Sequence, residues 1–294
     1  LRFRGVRGAT GTQASFLELF HGDHSKVEEL DRRVAVKMDF PGSYGVVGQT
    51  YPRKVDAAIA GTLAGIAASL SKFGNDLRLL AHLREVEEPF EEEQIGSSAM
   101  PYKRNPMRAE RICALGRHVI SLYQDPAMTA ATQWLERTLD DSANRRLSIP
   151  DSYLTLDGAL MLAENVAGGL TVHHEMVRRN VEVHLPFLAT ETVLMRAVER
   201  GGDRQELHER IRKHSLAAAD RMRMGDPGDL VERIAGDRAF GLDEKAIRAL
   251  LTPERFIGRA PEQVDRFLKE WVEPSLREHE AEAERAVGAP DVRV

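Results

Sequence analysis

Cysteine occurs once in the 294 residues, at Cys113, so the chain can close no intrachain disulfide and build no cysteine-based metal site. That usage suits a reducing compartment, and a cytoplasmic location is the expectation that follows. No uninterrupted apolar run reaches the roughly 18 residues of a membrane span. No long basic block is present either, and the net charge of −5 is spread along the sequence. This argues against a general nucleic-acid or membrane partner but leaves room for local arginine clusters that hold an anionic small molecule. Alternation of apolar and polar residues is nearly absent, with Tyr44–Thr50 the one weak strand candidate. No P-loop or dinucleotide fingerprint occurs, and there is no internal repeat. The opening LRFRGVRGATGTQ looks like neither a leader nor a start, so a piece of a longer protein is expected.

What the chain does contain is helix. Apolar residues make up 42% and charged residues 30%, as in soluble globular proteins. Val55, Ile59, Leu63, Ile66, Leu70, Phe73, Leu77 and Leu80 follow one another at intervals of 4, 4, 3, 4, 3, 4 and 3. That is the seam of a bundle helix over Arg53–Leu83, roughly 45 Å long. Its other faces carry Ala60, Gly61, Ala64, Gly65 and Ala67, which predicts burial on every side at the centre of a bundle, plausibly one shared between subunits. Further helices are predicted near Ser25–Met38, Pro106–Tyr123, Ser142–Leu170, Thr190–Arg200, Asp203–Arg223 and Pro261–Ala286, with Pro186 and Gly201-Gly202 as punctuation. The fold class is all-α. A long-helix bundle over residues 1–180 precedes a smaller helical domain over 181–294.

One stretch breaks the helical pattern. After the acidic run EVEEPFEEEQ comes GSSAMPYKRNP, residues 96–106. A flexible linker ending in a helix start, with Asn105 as N-cap and Pro106 at the first helical position, accounts for its flanks. It leaves Lys103 unexplained. A lysine and an amide beside a helix N-terminus can stabilise an anion developing on a substrate. The same positive surroundings favour a deprotonated Ser97, able to accept a proton.

GSSAMPYKRNP resembles the signature loop of the fumarase/aspartase superfamily, G-S-S-x-M-P-x-K-x-N, with every signature position filled. LRFRGVRGATGTQASF, VVGQTYPRKVD, MRAERICALGRH, QWLERTLDDSANRR, LPFLATETVLM and FIGRAPEQVDRFL are similar to the adenylosuccinate lyase family within it. The resemblance implies a C–N lyase that releases fumarate by β-elimination from adenylosuccinate, giving AMP, and from succinylaminoimidazole carboxamide ribotide. It assigns Ser97 as the general base, carried on a loop able to close over substrate. Lys103 and Asn105 become the groups that neutralise the aci-carboxylate. Gln49, Arg111, Arg137, Ser142 and Arg146 become substrate-binding, with guanidinium groups suited to phosphate and carboxylate. A homotetramer with active sites shared between subunits is implied, and no cofactor and no metal. Without the resemblance, Arg137 and Arg146 read as surface ion pairs to Asp140 or Asp141.

The sequence departs from the family pattern in one respect. The family's general-acid histidine sits in a T-H-x-Q-P-type motif, and none of the ten histidines, at positions 21, 24, 82, 118, 173, 174, 184, 208, 214 and 279, stands in that context. His173-His174 and the His21/His24 pair read as structural polar residues. The expectation is a chain that holds the base but not the acid, inactive alone. An argininosuccinate-lyase-like enzyme and a non-catalytic helical module remain as alternatives.

Overall fold

The computed structural model describes residues 1–90 and 103–283. They form an all-α architecture. Helices α1 (Ala14–Leu19), α2 (His24–Lys37) and α3 (Lys54–His82) precede a two-residue strand β1 (Val86–Glu87). Then come α4 (Met107–Leu122), α5 (Gln124–Thr132), α6 (Arg145–Gly169) and β2 (Thr171–Val172). Helices α7 (His174–Leu188), α8 (Thr190–Glu199), α9 (Arg204–Arg223), α10 (Leu230–Gly236), α11 (Glu244–Arg248), α12 (Ala260–Phe267) and α13 (Glu273–Glu278) follow. A π-helical turn, Leu268–Val272, joins the last two, so the single helix predicted from Pro261 is interrupted. The described chain divides into two compact units, one comprising Leu1–His82 and Val86–Val172, the other Leu83–Glu85 and residues 173–283.

In the first unit α3, α4 and α6 pack along one another. The buried line of α3 is Ala60, Leu63, Ala67, Gly74 and Leu77, and two core clusters follow it. Leu63 and Ala67 meet Val119 and Leu156. Further along, Leu77 meets Val86, Ala109, Ile112, Leu162 and Val166. Two glycines set the α3–α4 spacing. A Cβ on Gly74 would lie 2.9 Å from the Ala109 carbonyl, and one on Gly116 3.0 Å from the Ala67 carbonyl. Backbone cannot yield as a side chain can. Gly116→Val is therefore expected to lower stability by about 1–3 kcal/mol through overpacking, read as a lower urea midpoint. An unchanged midpoint would mean the helices are not in contact there.

One expectation is left open by the single chain and two are corrected. First, α3 is not buried all round within the chain: Ile66 is 40% and Leu79 65% exposed, because α4, α5 and α6 cover one side of it. By length and composition alone this helix could also cross a membrane, with a mean hydropathy of 1.3 over its best 18 residues. Its small and aliphatic residues serve both descriptions. Second, Tyr44–Thr50 forms no strand. Its carbonyls are taken by arginine side chains instead of a ladder: Arg7 donates to the Tyr44 carbonyl at 2.7 Å, and Arg4 to those of Gly48 and Gln49. Among the described residues the sheet is β1 with β2, antiparallel, Val86 opposite Val172. Third, Pro186 lies inside α7 rather than ending an element; near a helix C-terminus its missing N–H forfeits a single bond.

The second unit has its own core, where Leu194 on α8, Leu207 and Ile211 on α9, and Leu230 and Ile234 on α10 surround Phe240. His173 stands at the N-cap position of α7 and His174 at its first residue. His24 likewise opens α2 behind the N-cap Asp23, whose carboxylate accepts from the Lys26 amide at 3.1 Å.

Candidate active site

Ser97 lies outside the described residues, and Lys103 is the first described residue after it. Lys103 is exposed and Asn105 half-buried. The N-cap of α4 is Pro106, not Asn105. The Pro106 carbonyl accepts the Glu110 amide at 2.9 Å, but proline offers no side-chain acceptor for the next free N–H groups. Glu88 supplies it from a distance. Its Oε1 accepts the Arg108 amide at 2.8 Å and its Oε2 the Ala109 amide at 3.1 Å. Burial raises the Glu88 carboxyl above its ordinary range, and the two amides pull only partly against that. The buried Arg108 guanidinium donates back to the Pro89 carbonyl. Arg104 pairs with Glu87 at 2.9 Å and lies 4.9 Å over the Phe90 ring. So residues 87–90 and 103–109 are fastened to each other. Arg111 is exposed on the first turns of α4.

The other assigned residues gather elsewhere, around a buried ion network at the start of α3. The Arg53 Nε donates to the Asp141 carboxylate at 2.7 Å, and both residues are buried. Burial works to raise the Asp141 carboxyl. The Arg53 hydrogen bond, helped by the Arg53 and Arg137 charges, outweighs it and holds the group below its ordinary value. Asp56 accepts from the Tyr51 hydroxyl at 2.8 Å and from Arg145 at 3.1 Å. Gln133 accepts the Arg53 amide at 3.0 Å and reaches the Thr50 hydroxyl at 3.4 Å. Gly48 sits so close to the backbone of Glu136 that a Cβ would fall 2.7 Å from its carbonyl oxygen.

This framework brings Gln49, Arg137, Ser142 and Arg146 into one neighbourhood. Arg137 faces Asp141 at 3.5 Å, which realises the ion pair expected on a structural reading. Arg146 instead donates to the Ser142 carbonyl at 2.6 Å and to its hydroxyl. Gln49 presents an exposed side chain. Four cationic or polar groups thus stand beside a buried, charged network, suited to an anionic ligand.

The two groups are not brought together within the chain. Arg53, at the floor of the second, precedes Gly74, beside Ala109 behind the first, by 21 residues of largely α3 backbone. At the helical rise that is about 30 Å. Sequence reasoning missed Glu88, Arg53 and Asp56 and the burial of Asp141; each is paired with a residue remote in sequence, and only the acidic run around Glu88 and the pairing of Asp141 with Arg137 were hinted at. Among the described residues no three His, Cys, Asp or Glu side chains cluster as a metal site requires.

Comparison with known proteins gives a consistent picture. Residues 186–267 match the family described as adenylosuccinate lyase C-terminus, and residues 30–121 the family described as lyase. The adenylosuccinate lyase of Saccharomyces cerevisiae is 50% identical over 276 residues, 93% of this chain and 57% of its own length. That of Schistosoma mansoni is 46% identical over 281 residues, 95% of this chain and 58% of its length. The chain therefore spans somewhat more than half the length of these relatives. Among solved structures, the 3-carboxy-cis,cis-muconate lactonizing enzyme of Pseudomonas putida superposes with a TM-score of 0.69 at 25% identity, over 90% of this chain and 55% of that one. A fumarate lyase from Mesorhizobium gives 0.70 at 24% identity, over 90% and 56%, and shows the shared fold. With GSSAMPYKRNP intact and the similarity running along nearly its whole length, the chain matches the adenylosuccinate lyases over the part of their length that it spans.

Proposed function

We propose that this chain supplies the base loop and much of the substrate-binding surface of an adenylosuccinate lyase of purine biosynthesis. The observation that carries the reading is the 50% identity over 276 residues with an adenylosuccinate lyase. In this reading Ser97 removes the proton beside a succinyl carboxylate, and the electron pair collapses to expel the nitrogen, leaving fumarate and AMP. Lys103 and Asn105 meet the extra negative charge as it develops, where fixed donors act most strongly. Gln49, Arg111, Arg137, Ser142 and Arg146 hold the phosphate and carboxylates. Succinylaminoimidazole carboxamide ribotide, which carries the same succinyl group, is the second substrate.

A homotetramer belongs to the same reading, and the exposed apolar residues Ile66 and Leu79 of α3 support it, as do Leu147 at 74% and Leu154 at 72% exposure on α6. Leu147 and Leu154, seven residues apart, share one face of α6, and large apolar residues left exposed on one face suit an interaction surface. The roughly 30 Å between the two residue groups supports a site completed by different copies. The leaving nitrogen needs an acid, and no histidine here stands in the family's motif. The assay therefore joins this chain with the portion of the Saccharomyces cerevisiae relative that it does not match, co-expressed as a second polypeptide. Fumarate release from adenylosuccinate, followed by absorbance, is expected from the joined enzyme and absent with Ser97→Ala. Release from argininosuccinate instead would move the assignment to another lyase, and an assembled but inert complex would leave a helical module.

A further inference from the structure

We infer that Glu88 is a positioning residue for the elimination, fixing Lys103 and Asn105 through the first turn of α4; this rests on the lyase reading above. Lys103 and Asn105 stand four and two residues before Met107, where α4 begins. The direction in which the chain leaves that turn sets where their side chains go. Pro106 gives the turn no side-chain cap. Both oxygens of Glu88 take its free amides, those of Arg108 and Ala109.

The bond is unusual in being made from outside the helix, by a residue 20 positions earlier in sequence. A local cap needs only a serine, threonine, asparagine or aspartate at the helix start. A carboxylate from another segment does something more, tying the helix start to β1. Glu88 directly follows Glu87 of β1, which pairs with Thr171, so its backbone is anchored to the bundle. Arg108 and Arg104 add returns to Pro89 and Glu87. The carboxylate is half-buried, and its charge is disfavoured there by desolvation. A carboxylate is a strong acceptor at a helix N-terminus, and this one acts from another segment with both oxygens. Its two-pronged geometry fixes orientation, and orientation matters where a misplacement of about 1 Å can cost on the order of 100-fold in rate.

The test is Glu88→Gln, which keeps size but can accept only one amide and no longer carries the buried charge. In the 294-residue chain, hydrogen exchange of the peptide covering residues 104–110 is expected to quicken by about tenfold with the thermal midpoint nearly unchanged. In the joined enzyme kcat is expected to fall on the order of 10- to 100-fold with KM little altered, since the affected groups act on charge that develops in the reaction. Glu88→Ala should show the same split, more strongly. A lowered thermal midpoint with unchanged kcat would overturn the inference and leave Glu88 a structural cap. Lys103→Ala distinguishes the two levels of the argument. If that variant retains full activity the lyase reading fails; if it is inactive while Glu88→Gln is not, only the inference does.

Discussion

Asp141→Ala is expected to lower the unfolding free energy by about 3–5 kcal/mol, the cost of leaving a buried partner charge unpaired. Asp141 is 2% exposed, bonds Arg53 at 2.7 Å and faces Arg137 at 3.5 Å. Without it the Arg53 guanidinium, itself 3% exposed, keeps only Asp56 at 4.0 Å and the Tyr51 ring 4.8 Å away. Asp56 is already engaged by Tyr51 and Arg145, so it cannot take up the charge in full. The effect should have a pH signature. The Asp141 carboxyl is held below its ordinary value of 3.8, so its stabilisation is complete above that pH. It is lost as pH falls through the lower folded value. Urea midpoints of parent and variant should therefore differ at neutral pH and converge only in strong acid. Equal midpoints at pH 7 would show that the pair contributes nothing.

The same substitution should also loosen Arg137, whose ion pair is to Asp141. On the proposed function the buried network would link stability to binding, since Arg137 pairs with Asp141 and Ser142 follows it directly. Ground-state binding, and so KM, should suffer more than the chemical step in any variant mild enough to remain folded.

How far the sequence alone reached depended on the distance over which each feature is specified. The α3 seam was legible because a 3-4 apolar spacing is a local pattern, and its helix runs Lys54–His82 against an expected Arg53–Leu83. Helix α5 was missed because QDPAMTAAT offers no repeating aliphatic residue and carries Pro126 in its first turn. Helix α7 was lost to Pro186, which near a C-terminus costs too little to stop it. Residues of the candidate site were nameable through motif resemblance, yet their supports were not. Arg53 and Asp141 are 88 residues apart and Glu88 and Arg108 are 20 apart. Nothing in RTLDDSANRR marks which aspartate is buried, and in EVEEPFEEEQ every glutamate looks equally solvated. Composition did indicate that α3 is a central helix, but burial of its second side depends on neighbours that α4, α5 and α6 do not provide.

The proposed function requires two residue groups about 30 Å apart in one chain to meet in one active site across copies. Mixing two inactive variants tests it most directly. Lys103→Ala spoils the loop group and Arg146→Ala the binding group, and each alone should abolish fumarate release by the joined enzyme. In a randomly mixed oligomer half the loops and half the binding surfaces are intact. If each site draws them from different copies, about a quarter of sites are whole, and activity should return to about that fraction of the parent's. If both groups serve the site of their own chain, every site carries one lesion, and the mixture should stay as inactive as its components.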